Sequence, residues 1–152
     1  MAIMKTNKLS ILSGLVTGLV LIAYFLLMKL LGLNRVLELR FLNLVFLFIG
    51  VWFTLSRANK KYGDLYYLHG LGLGLQTSFI AVSLFSAFIG FYLQAVDPGF
   101  MEYLRVQANL GKYINPWILA HVIFGESFSA GAIMTFILMQ YYKAEPEKAG
   151  KL

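Results

Sequence analysis

The stretch "WILAHVIFGESFSAGAIMTFILMQYY", residues 117–142, carries a single formally charged side chain, Glu126, in an otherwise largely apolar run. About 20 apolar residues in a helix, at 1.5 Å per residue, cross the roughly 30 Å hydrocarbon core of a bilayer. Whether this run is a span therefore decides both the fold and the meaning of the glutamate. Composition gives the answer: of 152 residues, 59% are hydrophobic and 13% charged, against roughly 25% charged in soluble domains. This is the composition of a membrane protein.

Three more segments of the same kind precede it, at about 9–28, 41–56 and 71–96. In lipid every backbone N–H and C=O must be bonded within its own segment, which an open chain achieves only as a helix. The alternation that marks barrel strands of about ten residues is absent. The expected fold is all-α, a single domain over residues 1–152 forming a four-helix transmembrane bundle. The second segment is short, so it starts either at Phe41 in a thin region or back near Leu37 with Arg40 snorkelling outward. The first follows Lys5 and Lys8 as a signal peptide would, but it is too long and lacks a small-residue cleavage site, so it reads as a retained helix.

Between the third and fourth segments lies "DPGFMEYLRVQANLGKYINP", residues 97–116. Asp97 followed by Pro98 makes a cap and first turn. Phe100, Met101, Leu104 and Ala108 then fall near one face, giving a short amphipathic surface helix over about 98–110. Asn115 and Pro116 repeat the cap before the fourth span. With the N-terminus inside, Lys5, Lys8, Arg57, Lys60, Lys61, Lys143, Lys148 and Lys151 lie on the inner side, and Lys29, Arg35, Arg40, Arg105 and Lys112 on the outer. Eight against five favours both termini in the cytoplasm and location in the inner (plasma) membrane. The formal charge of +6 belongs to these flanks, with no basic block or aromatic-basic interleaving to suggest nucleic acid.

Small residues recur every fourth position, at Ser10, Gly14 and Gly18 in the first span and at Gly70, Gly74 and Ser78 in the third. Such spacing lets backbones approach, which matters where burial of apolar surface drives little association. Ser83, Ser86, Ala87 and Gly90 form a second small face on the third span, which should touch partners on both sides. These faces either pack the four helices of one chain or leave one face spare for a homo-oligomer or a larger membrane complex.

Glu126, roughly 13 Å into its span, lies near the midplane. Its wheel face also carries Leu119, Val122, Ser129, Ala130 and Ile133, while Phe124, Phe128 and Thr135 project oppositely. Taking the rings as lipid-facing, Glu126 should face the bundle, with Thr17, Ser83 or Ser86 as hydroxyl partners. It is then either a neutral acid joining helices or a proton or ion site. His121 lies some 6 Å inside the outer edge and about 140° from Glu126 around the helix, so the two make no metal pair. Asn43 and Gln94, at similar depth, are its candidate partners. No metal or other cofactor is expected. No cysteine is present, and no zinc-protease, nucleophile-elbow or phosphate-cradling motif appears.

Taken together, "LSGLVTGLVLI" (residues 12–22), "YGDLYYLHGLGLGL" (62–75) and "YLQAVDPGFMEYL" (92–104), followed by a last helix rich in small residues, resemble the bacterial membrane proteins classed as domain of unknown function 4199. The most specific part is Asp97, Pro98, Phe100 and Glu102 after a tyrosine-bearing helix end. The resemblance implies four spans and carries no activity. The expected role is a non-catalytic multi-pass membrane protein, a scaffold or accessory subunit packing through small-residue faces; the alternative is a small oligomeric transporter or proton-conducting unit using Glu126.

Overall fold

A computed structural model describes residues 2–32, 41–62, 67–107 and 115–144. Five helices run through them: α1 Ala2–Leu30, α2 Phe41–Tyr62, α3 Tyr67–Ala95, α4 Pro98–Gln107 and α5 Pro116–Ala144. All but α4 are long and apolar enough to cross a membrane, over Lys8–Leu30, Phe41–Lys61, Tyr67–Ala95 and Pro116–Tyr142. The alternative start of α2 near Leu37 and the end of the expected surface helix at 108–110 lie outside the described residues.

The helix ends follow local chemistry. Phe100 N–H donates to Asp97 Oδ1 at 2.9 Å and Ile118 N–H to Asn115 Oδ1 at 2.8 Å, so both cap-and-proline pairs open helices. At the end of α1, Gly32 takes a φ of 68° and its N–H bonds the Lys29 carbonyl. Only a residue without Cβ adopts that left-handed turn at no steric cost.

The bundle is built around α3, which touches α1, α2, α4 and α5, while α2 also touches α1 and α5. Its close crossings are steric. A Cβ on Gly14 would lie 2.9 Å from the Thr77 carbonyl oxygen of α3, and one on Gly18 3.1 Å from that of Ala81. On another side of α3, Gly74 sits against Thr135 of α5, and Ser78 Oγ lies 2.6 Å from where a Cβ on Gly131 would be. Gly50 of α2 takes Thr17 of α1 in the same way. Gly70, Gly74 and Ser78 are buried within the chain, and in the second small set Ser86 and Gly90 are buried, Ser83 half-buried and Ala87 exposed. Gly90 receives Trp117 and Ala120 of α5. The small-residue face of α1 and the first of α3 are thus consumed by the chain's own packing, and the second of α3 in part.

Hydroxyl groups populate these crossings. Thr17, Thr54, Thr77 and Thr135 donate to the carbonyls four residues before them, which satisfies them without leaving the helix. Ser10 donates to Gln76 at 2.7 Å, linking α1 to α3.

At one end α4 folds back over the bundle. Met101 is buried among Leu21, Phe85, Ile89, Leu93 and Leu119, with Phe100 and Leu104 packed alongside, so the apolar face of this surface helix is spent on the protein rather than on lipid. Lys29, in the last turn of α1, bonds Asp97 Oδ2 at 2.8 Å and the Tyr92 hydroxyl, and its ammonium lies 4.4 Å from the Tyr92 ring centroid. At the opposite end the hydroxyls of Ser56 and Tyr142 join α2 to α5. The first turns of α1 and the last turns of α5 accordingly share the end opposite α4.

Candidate functional site

Helix α5 has its inner side fixed by two interlocked pairs, Gly131 with Ser78 and Thr135 with Gly74. Glu126 precedes them by five and nine positions, which at 100° per residue places it about 140° and 180° away. The carboxyl-bearing side chain is therefore exposed, as are Val122, Ser129 and Ile133 on the same side.

This reverses the expected rotation of the helix. Phe124 and Phe128, taken as lipid-facing, pack half-buried against Leu47, Ala81 and Val82. Their rings stack on each other at 5.8 Å between centroids, and Phe79 of α3 meets each edge-on. Thr135, also placed outward from sequence, is fully buried. The rings fill space beside α3 and α2, whereas the small residues on the other side of α5 are left at the surface.

The expected partners of Glu126 are engaged elsewhere. Thr17 donates to the Ser13 carbonyl, and Ser86 to the Ser83 carbonyl at 3.2 Å. None of Thr17, Ser83 and Ser86 bonds Glu126. His121 is exposed, with Nδ1 2.8 Å from the Trp117 carbonyl oxygen. A carbonyl only accepts, so Nδ1 carries the proton and Nε2 is left outward. Gln94, proposed for His121, instead accepts from Trp117 Nε1 at 2.6 Å. Asn43 is half-buried with its Oδ1 unpaired among the described residues. No cluster of three metal-ligating side chains occurs among the described residues.

What emerges is a face rather than a pocket. Ile118, Val122, Gly125, Ser129, Ala132 and Phe136 succeed one another at alternating spacings of four and three; all are exposed except the half-buried Ala132. A Cβ on Gly125 would meet nothing within 4 Å. The outward sides of α1 and α2 look different: Leu12, Leu15, Val16 and Leu19 on one, Val45, Phe48, Ile49 and Trp52 on the other, all large and apolar. Among these three outward sides, that of α5 combines a glycine, a serine, a histidine and a glutamate. Sequence reading missed Gly125, whose spacing to Ser129 repeats that of Gly74 to Ser78 and was the available signal.

No curated protein and no solved structure matches the chain. A family model described as "Protein of unknown function (DUF4199)" matches residues 12–144, covering the spans and α4. The chain, a multi-pass helical membrane protein, belongs to that family.

Proposed function

We propose that this protein is a non-catalytic subunit of a membrane assembly, seated in the plasma membrane with both termini cytoplasmic, and that the outward face of α5 receives another transmembrane helix. The observation that carries this reading is the exposure of Gly125, Glu126 and Ser129 together in the middle of a span. Small residues give a helix a groove in which a second backbone can approach closely. A charged side chain at the bilayer centre costs, on the mildest scales, about 2.5–3.5 kcal/mol for aspartate, lysine or arginine. A helix covering this face removes Glu126 from lipid and fills the groove at once.

Conduction through a single copy has little support. The hydroxyls of Thr54, Thr77 and Thr135 lie buried among the helices, whereas Glu126 is on the far side of α5.

The chain has no cysteine, so single cysteines report cleanly. Val122→Cys on α5 and Val16→Cys on α1 are both exposed positions. Treated in native membranes with a short bifunctional thiol-and-photoreactive reagent, the Val122 variant is expected to form a protein adduct and the Val16 variant none. Absence of any adduct at Val122 would sink the reading.

A further inference from the structure

We infer that the end of the bundle opposite α4 holds an anionic membrane phospholipid, its phosphate taken by Arg57 and Lys60 of α2 and an acyl chain laid along Phe53 and Ile49. The site lies on α2 and does not depend on the docking face of α5.

Arg57 and Lys60 are exposed on the last turns of α2. Residues three apart are neighbours on one helix face. On α4 that spacing joins Arg105 to Glu102 at 3.1 Å, and Lys29 of α1 has Asp97 at 2.8 Å. In α2 both positions are cations, and neither side chain has an ion pair or hydrogen bond among the described residues. Lys61, next to Lys60, already has an interaction within the chain and is not part of the site.

A lysine in the last turn is accounted for by the negative end of the helix dipole. Arg57 is not. Its guanidinium carbon lies 5.0 Å from the Phe53 ring centroid, so the side chain is folded back a turn toward the start of α2. Side chains lean toward a helix's N-terminus, and for the last turns of a span that direction is into the bilayer. The ring meets one face of the guanidinium and leaves its in-plane N–H donors open. A charge held at the hydrocarbon boundary with open donors needs an anion at the same depth, and the phosphate of a lipid headgroup is the anion that a bilayer provides there.

The surface beside these cations suits the rest of a lipid. Ile49 and Phe53 precede Arg57 at spacings of four, and both are exposed, large and apolar. At 100° per residue Ile49, Phe53, Arg57 and Lys60 fall within about 80° of one another, so the apolar strip runs straight into the basic pair. A free phosphate ion makes no use of that strip, whereas an acyl chain covers it. A zwitterionic headgroup would bring its own ammonium against two cations, which favours a lipid of net negative charge.

The test uses the full chain in detergent micelles, offered phosphatidylglycerol and phosphatidylcholine in equal amounts with matched acyl chains and weighed intact by native mass spectrometry. The unaltered chain is expected to retain phosphatidylglycerol in preference. Arg57→Gln combined with Lys60→Gln is expected to lower that preference by about tenfold or more, at the usual worth of two basic side chains near an anionic surface. Both positions are exposed, so glutamine costs the fold little, and circular dichroism verifies the helices. Lys5→Gln combined with Lys8→Gln removes the same charge from α1 at the same end and is expected to leave the preference unchanged. Inorganic phosphate in large excess is expected not to displace the lipid. No preference in the unaltered chain, or an equal loss from the α1 pair, overturns the site. Displacement by inorganic phosphate overturns the lipid as its occupant.

Discussion

Thr135 of α5 sits against Gly74 of α3, its side chain occupying the space where a Cβ on Gly74 would be. One turn earlier on α5 the relation inverts, with Ser78 of α3 pressing on Gly131. Two residues on each helix, alternately small and hydroxyl-bearing, thus set the rotation of α5 and decide which of its sides reaches the surface.

Gly74→Leu is expected to drive a branched side chain into Thr135 and lower stability by about 1–3 kcal/mol or more, as overpacking does where backbone cannot retreat. Phe124→Leu, which trims a half-buried ring, should lose about 1 kcal/mol. Thermal unfolding in detergent compares them; equal shifts would mean that the α3–α5 crossing is not close.

Asp97 has two tasks at once, capping α4 through Oδ1 and pairing with Lys29 through Oδ2. Both side chains of the ion pair are about 30% exposed, at 31% and 29%, so solvent screens it. Lys29→Met also gives up the bond to the Tyr92 hydroxyl and the contact with its ring, so it should cost on the order of 1 kcal/mol. Asp97→Ala should cost more, since the loss of a helix cap adds about 1 kcal/mol. Asp97→Asn keeps both the cap and the Lys29–Tyr92 contacts and should cost the least of the three. Hydrogen exchange of the α4 amides ranks the three, and Asp97→Asn behaving like Asp97→Ala would contradict the division of labour.

Since Glu126 is at the surface of the chain, Glu126→Leu should cost the isolated chain less than about 1 kcal/mol while weakening assembly. Light scattering coupled to size exclusion reads both. A large loss of monomer stability would show that the carboxyl holds the chain's own helices together.

Reporter fusions at Lys61 and Lys112 should report opposite sides of the membrane, with the Lys61 reporter cytoplasmic. The same side for both would be incompatible with four spans.

The spans and caps were legible because they rest on local chemistry. Asp97 with Pro98 and Asn115 with Pro116 open their helices as the residues alone suggest. The rotation of α5 was not legible. In water a helix advertises its inner side by being apolar only there; in lipid both sides are apolar, and Phe124 looks as suited to hydrocarbon as to protein. Only the fit of Thr135 and Gly131 into α3 distinguishes them, and that information is divided between two segments more than fifty residues apart. The amphipathic α4 was recognisable, but the recipient of its apolar face was not, because Met101 is complementary to a bundle end assembled from α1, α3 and α5.

The central position of α3 also has a consequence in time. Helices that are independently stable in the bilayer insert first and associate afterwards, and synthesis delivers α1 and α2 before the helix on which both pack. Until α3 arrives, α1 has the Gly50–Thr17 crossing with α2 available, while Gly14 and Gly18 wait for the Thr77 and Ala81 carbonyls. Ser10 likewise has no Gln76 to bond. A chain ended between Tyr62 and Tyr67 and released into the bilayer would hold two inserted helices with the glycine face of α1 still bare.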